Sequence, residues 1–597
     1  MASDLIIGMA GTGGDDVISA GDALMTAAAR NGYHAIMTKS FGPQIRGGES
    51  SFRVRLATTS LWNAGGTLDF AIALNWPDFL RFGAELPVDG KTTVIYDSAS
   101  GIAPDQVPLA GMTPIEAIAV PIGQMAKDTA GTDKAKNTIV LGLLSAWVGL
   151  SADGLLSGVR KRFAKKSVEV LEGNERAFAA GVAFAEAHLL RADRRLARAD
   201  GVHVQRLLAD GNEMCAAGAI FAGCEFFGGY PITPSTEIMQ WLSREIWKYG
   251  GSLLQAEDEI AGIGAVIGAS FAGRKAMTAT SGPGMSLKTE MLGLATIAEL
   301  PLVCVNVQRG GPSTGMPTKS EQADLFQAAF SAHGDSVRPV IAPTSVADTF
   351  RTTVDAFNIA EQFQTPVILL SDAEIAQRKE IFDPIDTTLV PVIDRRAPND
   401  RELEDYVRFQ ITESGVSPIS HPGMERGTYL ASGIEHAESG APTANGELHA
   451  RMNEKRIRKF TPLKSRRDLV SITGDRGAPL ALVSWGSVAG VALEAAELAR
   501  REGIRLKVLI PRLLYPVSEE IYEDFFASVR AGLVIEQSHQ GQLYRLIRMY
   551  VDVPRGVQPL ARSGSNPITP VEVLDRVRRM VGTLQRYTVP ESEPVLG

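Results

Sequence analysis

The sequence predicts an α/β protein of three domains built on largely parallel sheets. Short β-branched runs alternate with helical stretches and glycine-rich turns, the pattern of repeated strand–turn–helix units. A charge-dense stretch (LRADRRLARAD, 190–200) and a long polar stretch rich in Pro, Gly, Ser and His (381–465) divide that pattern into three blocks. A chain of 597 residues has length for two to four domains and can bury sizeable cores without disulfide or metal staples.

In the first block (1–190), a strand is expected at 4–9, a glycine turn at 11–14 and a helix at about 16–31. Strands are expected at 33–39, 51–57, 68–73 and 92–96, and helix over 134–190. Residues 191–208 read as a linker. The second block (209–380) opens with a helix at 212–222, continues with strand–turn–helix units at 252–272, 276–297 and 301–307, and ends on a strand at 366–370. Residues 381–465 read as an irregular insert, which at that length serves as a lid, clamp or linker. The third block (466–597) restarts the α/β pattern, with strands at 480–483, 506–510 and 531–535 and a helix at 489–502.

Composition excludes several functions. Hydrophobic residues make up 45% and the net charge is −8, so a phosphate backbone or an anionic membrane is a poor partner. The N-terminus lacks the basic and apolar regions of a signal peptide, and the apolar run at 293–307 is too interrupted to span a bilayer. Three cysteines without regular spacing (Cys215, Cys224, Cys304) fit a reducing cytosol and are too few to hold an iron–sulfur cluster.

Four segments of the second block carry chemistry. In GGYPITPSTEI (228–238), Pro231 and Pro234 stiffen a loop that pins Thr233 between them, and Ser235 or Thr236 is expected to cap the next helix, with Glu237 in its first turn. A rigid turn with an N-cap accounts for this segment as well as a binding loop does. In QAEDEIAGIGAVIG (255–268), Glu257, Asp258 and Glu259 precede a helix with small residues at 261, 262, 264, 265, 268 and 269. Acids there favour the helix dipole, and a buried one beside so thin a helix could protonate a ligand nitrogen. TATSGPGMSLKTE (278–290) places Ser281 and Gly282 at a helix start suited to polar groups. QRGGPSTGMPTKSEQAD (308–324) sets Arg309 at the end of a strand, where open α/β sheets bind ligands, and suits capture of a carboxylate.

The remaining motifs are weaker. GMAGTGG (8–14) resembles a loose phosphate loop without the GK[ST] of a Walker sequence. FGPQIRGG (41–48) places Arg46 beside Gly47 and Gly48, a combination able to hold phosphates or pantetheine. The insert has His421, His436 and a basic run at 451–459, and no zinc-ligand spacing. Isolated histidines in polar sequence read first as solvated, with substrate contact as the alternative. EQSHQGQ (536–542) and SWGS (484–487) read as polar sheet-edge loops or as an interface toward a partner subunit.

Taken in order, YPITPSTE, QAEDEIAGIGAVIGAS, TATSGPG and QRGGPSTGMPT resemble the alpha subunit of 2-oxoacid:ferredoxin oxidoreductases. The first block, with GMAGTGG, FGPQIRGG and KNTIVLG (136–142), resembles the family's gamma domain, and the third its transketolase C-terminal-like domain. The resemblance implies a pyrimidine-type thiamine-diphosphate-binding fold flanked by these two. It implies that Glu259, rather than Glu257, hydrogen-bonds the pyrimidine N1′, that Thr233 and Arg309 bind the 2-oxoacid, and that Tyr230, Pro231, Ile232, Ser281 and Gly282 line the cofactor. Coenzyme A would be held by the gamma-like domain, through Gly11, Gly13, Gly14, Arg46, Gly47 and Gly48.

No GDG…N stretch for Mg²⁺ occurs. The resemblance therefore implies a beta subunit carrying Mg²⁺, the diphosphate site and a [4Fe–4S] cluster, in a cytoplasmic dimer of alpha–beta heterodimers that reduces ferredoxin. GVSPISHPG and GIEHAESG resemble the 2-oxoglutarate branch, with Ile419 where Arg is expected and His421, Arg426 or His436 as grips for a distal carboxylate. Pyruvate or a broad 2-oxoacid range is the alternative substrate. A catalytically silent scaffold and a free-standing nucleotide-binding enzyme are the alternatives of another class.

Overall fold

The computed structural model describes residues 1–42, 48–199, 205–564 and 566–588. Three sheets carry the three-domain α/β architecture. The first has eight strands, in the order Glu116–Val120, Thr93–Asp97, Phe70–Ala73, Asp4–Gly11, Ser50–Ala57, His34–Phe41, Lys379–Phe382, Leu207–Asp210. Its first four strands run parallel, and the remaining pairings are antiparallel. The helices Val17–Arg30, Lys136–Val148 and Val168–Ala187 supply residues to its large core.

The last two strands of this sheet belong by sequence to other segments. Lys379–Phe382 follows the second block, and Leu207–Asp210 begins inside the expected linker. The described part of that stretch also lies along the first domain: the Ala2 amide donates to the Arg195 carbonyl, and Arg194 pairs with Asp69 at 2.8 Å.

The middle sheet has seven strands, in the order Leu513–Tyr515, Val340–Ile341, Pro366–Asp372, Leu302–Gln308, Ala276–Thr280, Phe226–Gly229, Ser252–Gln255. All are parallel except Leu513–Tyr515, which the third block lends to the edge. Its central strands are buried on both faces, which explains their near-continuous apolar sequence. The third sheet has five strands, in the order Val470–Gly474, Leu506–Pro511, Leu480–Ser484, Ala531–Glu536, Gly556–Ala561. One apolar core runs from Ile263 and Leu302 of the middle domain to Trp485 and Val534 of the third, so these two domains are packed as one body.

The insert differs from expectation in form and in position. The helix Gly446–Arg458 occupies its end. The insert also grips the amino-terminal edge of the middle sheet. Arg408 donates to the Glu299 carbonyl at 2.8 Å, Gln364 to the Ser417 carbonyl at 2.6 Å, and Lys275 to the Ile393 carbonyl at 2.9 Å. Residues 275, 299 and 364 each precede a strand. Lys455, Lys459 and Arg408 close around the buried Glu299 carboxylate, with Lys459 at 3.3 Å. This segment is a clamp, not a lid.

Candidate active site

The opposite, carboxyl-terminal edge of the middle sheet gathers the predicted residues. After Phe226–Gly229 the chain turns through Tyr230, 40% exposed, into a loop with a cis Thr233–Pro234 bond. Asn212, buried on the preceding helix, donates to the Pro234 carbonyl at 2.9 Å and fixes the loop from behind. Ser235 stands at the N-cap position of the helix Thr236–Glu245 without capping it. Its hydroxyl donates back to the Ile232 carbonyl at 3.0 Å, tightening the turn instead.

The three acids divide cleanly. Glu257 is exposed. Asp258 is the N-cap, its carboxylate accepting from the Ala261 amide at 2.8 Å. Glu259, 8% exposed, opens the helix Glu259–Phe271 and is the one turned inward. That helix lies against bare backbone: a Cβ on Gly228 would sit 2.8 Å from the Gly262 carbonyl oxygen. The small residues seen in sequence permit this approach. Gly284 does the same for the Glu259 side chain, since a Cβ there would lie 2.8 Å from its Oε1 and 2.1 Å from the Thr280 hydroxyl.

Lys288, fully buried on the helix Gly282–Ile297, donates to the Glu259 carbonyl at 2.8 Å. Burial pushes its ammonium below the ordinary lysine range. Ser281 caps that helix by position only, and its buried hydroxyl has no partner among the described residues.

Arg309 follows the strand Leu302–Gln308 and is 7% exposed. One guanidinium nitrogen, Nη1, donates to the Thr233 carbonyl at 2.5 Å. The buried Nε has no partner, and no carboxylate pairs with Arg309 among the described residues. Burial lowers its proton affinity, partly offset by Asp324. Asp324 closes the loop that Arg309 opens. It accepts from Asn306 at 3.1 Å, and burial pushes its carboxyl up to about 6. Thr233, Glu259, Ser281 and Arg309 thus end four adjoining elements on one sheet edge. They offer an acid, a hydroxyl-bearing helix start and an unneutralised cation.

Residues 217–455 match the family model described as pyruvate flavodoxin/ferredoxin oxidoreductase, thiamine diP-bdg. Residues 6–184 match pyruvate ferredoxin/flavodoxin oxidoreductase, and 478–573 match pyruvate:ferredoxin oxidoreductase core domain II. The 2-oxoacid:ferredoxin oxidoreductase 2 alpha subunit of Aeropyrum pernix is 30% identical over 98% of each chain. The chain belongs to the 2-oxoacid:ferredoxin oxidoreductase alpha-subunit family. The 2-oxoglutarate oxidoreductase subunit KorA of Mycobacterium tuberculosis is 33% identical over 91% of this chain and 87% of its own. The solved 2-oxoglutarate:ferredoxin oxidoreductase of Magnetococcus marinus, with 2-oxoglutarate, coenzyme A and succinyl-CoA bound, is 37% identical. It covers 97% of this chain and 100% of its own, at a TM-score of 0.91.

In this alpha subunit the third domain buttresses the Arg309 loop. Gln322 and Gln537 pair in both directions: the Gln322 amide donates to the Gln537 carbonyl at 2.7 Å, and the Gln537 amide to the Gln322 side chain at 2.8 Å. Gln322 Nε2 donates to the Trp485 carbonyl at 2.9 Å. SWGS and EQSHQGQ therefore contact their own chain through Trp485 and Gln537, while His539 and Gln540 are exposed. Sequence reasoning missed Gln322, Lys288 and Asp324. All three lie inside motifs already singled out, Lys288 and Asp324 as ionisable residues in otherwise small or polar runs.

The other predicted sites fare differently. In the turn with Gly11, Gly13 and Gly14, the Asp15 carboxylate accepts from the Thr12 amide and hydroxyl, at 2.9 Å each. The turn is thus held closed by its own acid. Arg46 and Gly47 lie outside the described residues, while Gly48 is described and leads into the strand Ser50–Ala57. His421 lies against Gly273 and His436 against the Ile297 carbonyl, both at the amino-terminal edge of the sheet, opposite Arg309, while Arg426 faces Asp400 within the insert. His436 is fully buried, its ring nitrogens 3.0 and 3.2 Å from the Ala437 and Ile297 carbonyls, so it is neither solvated nor a substrate grip. Ile419 is buried in the shared core, so the expected Arg is not missing from the site.

Among the described residues, no helix is long and apolar enough to cross a membrane, and no group of three or more His, Cys, Asp or Glu could hold a metal ion.

Proposed function

We propose that this chain is the alpha subunit of a thiamine-diphosphate-dependent 2-oxoglutarate:ferredoxin oxidoreductase. The reaction is 2-oxoglutarate, coenzyme A and oxidised ferredoxin to succinyl-CoA, CO₂ and reduced ferredoxin, and it is reversible. The observation that carries the reading is Glu259: a buried acid on a glycine-backed helix, on the same sheet edge as an arginine with no salt-bridge partner among the described residues. The 2-oxoglutarate and succinyl-CoA held by the Magnetococcus relative support the choice of substrate.

The pocket fits the aminopyrimidine end of thiamine diphosphate. Glu259 would share a proton with the ring's N1′, and the close backbone approach of Gly228 and Gly262 fixes the helix that carries it. Tyr230, Pro231 and Ile232 would line one side, Ser281 and Gly282 the other. When bound, the cofactor supplies a carbon nucleophile for the keto group and a sink for the electron pair released with CO₂. Arg309 and the Thr233 hydroxyl would bind and orient the 2-oxoacid, charge-assisted hydrogen bonding to its carboxylate giving Arg309 the partner it lacks. Lys288 holds the first turn of the Glu259 helix and so the direction of the acid.

Magnesium and an iron–sulfur cluster do not fit this chain, whose cysteines are buried singly with thiols pushed up to about 11 or 12. A beta subunit would supply both, in a cytoplasmic complex, and the cation for the distal carboxylate. The gamma-like domain would bind coenzyme A near 46–48.

The test is anaerobic, coenzyme A-dependent reduction of a viologen dye by the co-expressed subunits. 2-Oxoglutarate is expected to be preferred over pyruvate. Equal use of several 2-oxoacids would replace the substrate assignment with a broad one, and no turnover with any 2-oxoacid, cofactors intact, would return the silent scaffold.

A further inference from the structure

A second cavity lies where the three domains meet, and none of Thr233, Glu259, Ser281 or Arg309 lines it. Its walls come from the strands His34–Phe41 and Ser50–Ala57 of the first domain, residues 318–320 and 373–378 of the middle domain, and 487–491 of the third. Its volume of about 140 Å³ compares with about 10–15 Å³ for a single water, so it has room for a small solute.

The charges around it do not balance. Lys319 pairs with Glu85, and Arg378 with Glu374 and Glu380. That leaves Arg53 and Lys39 with no carboxylate partner among the described residues. Arg53 is the more telling of the two. It is 6% exposed, its Nη1 makes only a long contact of 3.5 Å to the Glu85 carbonyl, and its Nε and Nη2 have no partner. Arg55, two residues away on the same strand, shows the ordinary solution: two carboxylates, Asp4 and Glu494, hold it. The buried Ser487 hydroxyl, also unpartnered, lines the same cavity from the third domain. Glu374 acts on Arg53 electrostatically but bonds to Arg378 instead, and convergent buried donors left without partners recognise an acceptor-rich anion.

We propose that this three-domain cavity is an oxyanion-binding site, with Arg53 as its fork, Lys39 as a second charge and Ser487 as a hydroxyl donor. The ligand is a small phosphate or carboxylate. The cavity's lining includes none of Thr233, Glu259, Ser281 or Arg309, although Lys319 belongs to the Arg309 loop, its carbonyl accepting from the Gly310 amide at 2.9 Å; the ligand is a second anion, beside the reacting 2-oxoacid. Because all three domains contribute, occupancy would tie them together.

The test uses the full chain with its partner subunit in phosphate-free buffer. Calorimetric and thermal-shift titrations are run with inorganic phosphate and, separately, with succinate. Saturable binding of one or both is expected, and whichever binds more tightly identifies the oxyanion. Arg53→Met is expected to weaken that binding about tenfold or more, the loss of one charge-assisted contact. Lys39→Met should weaken it less. If Arg53→Met does not fold, Arg53→Lys keeps the charge and loses the fork, and should still bind more weakly. No saturable binding of either anion to the wild type, or unchanged binding in the Arg53 variants, overturns the proposal. So does displacement of the anion by coenzyme A or 2-oxoglutarate, which would make the cavity part of the reaction site.

Discussion

The two edges of the middle sheet both bury charge, and they treat it in opposite ways. At the amino-terminal edge the Glu299 carboxylate meets Lys455 and Lys459, while its carbonyl accepts from Arg408. Lys459 also donates to the Gln364 carbonyl, so the Glu299 carboxylate is fully engaged, although Arg408 Nε has no partner among the described residues. At the carboxyl-terminal edge Arg309 keeps one bond and a bare Nε, and the Ser281 hydroxyl has no partner. Neutralised buried charge holds a structure together, whereas buried polar groups left open are poised for a ligand. The two buried acids show the difference most sharply: Glu299 is held by Lys455 and Lys459, whereas Glu259 forms no salt bridge among the described residues.

The largest expected break is at Glu259. Glu259→Gln should lower turnover of the assembled complex about 10²–10⁴-fold, the ordinary worth of a placed acid, with an unchanged melting temperature. Retained turnover would return Glu259 to a structural role. Glu299→Gln should do the reverse. It leaves Lys455 and Lys459 without their counter-charge and should cost about 3–5 kcal/mol of stability, with turnover per folded complex preserved.

The same cluster sets a pH dependence. Burial raises the Glu299 carboxyl, but Lys455, Lys459 and Arg408 override it and hold the group well below the usual carboxylate range. Its folded value is below its unfolded one, so its contribution is complete above the ordinary 4.5 and is lost as pH falls below that. Lys459, pushed down to about 8 by burial, works the other way: its charge costs stability below pH 8, and the cost is relieved as pH rises toward 10.5. Denaturant melts from pH 3 to 6 should show a steep acid loss in wild type and a shallower one in Glu299→Gln. Equal slopes would sink the assignment.

Arg309 sharpens the comparison from the open side. Arg309→Met should lower kcat/KM for the 2-oxoacid about 10–150-fold, equivalent to a charge-assisted bond of about 1.5–3 kcal/mol. Because its guanidinium lacks a counter-ion, the variant should melt no lower than wild type. A large fall in stability would mean that the arginine is structural after all.

How much of this was legible beforehand follows from the range of each interaction. The sheet edge was readable because its residues sit in local motifs: a proline-stiffened loop, a small-residue helix, an arginine at a strand end. Even the choice of Glu259 over Glu257 rests on position within one helix start. The clamp was not readable. The helix Gly446–Arg458 buries Met452, Lys455 and Arg456, so no apolar stripe marks it, and its partner Glu299 lies 156 residues from Lys455. The strand exchange that puts Lys379–Phe382 and Leu207–Asp210 in the first sheet is likewise long-range, and short edge strands carry little periodic signal.

Gln322 tests whether the open edge is held by the third domain or by its own loop. It is fully buried and bonds Gln537 through both its backbone amide and its side-chain oxygen, although the two lie 215 residues apart. Gln322→Leu keeps the volume and strands two groups, the Gln537 amide and the Trp485 carbonyl. The expected cost is about 1–3 kcal/mol of stability. If the third domain positions the Arg309 loop, KM for the 2-oxoacid should rise in this variant while kcat for the saturated complex changes little, since Glu259 is untouched. Gln322→Glu supplies the acceptor for Gln537 but not the donor for Trp485, and should recover part of the KM. A variant that melts lower with an unchanged KM would show that the Asn306–Asp324 and Gln308–Asp324 bonds at the loop's own ends are enough to aim Arg309.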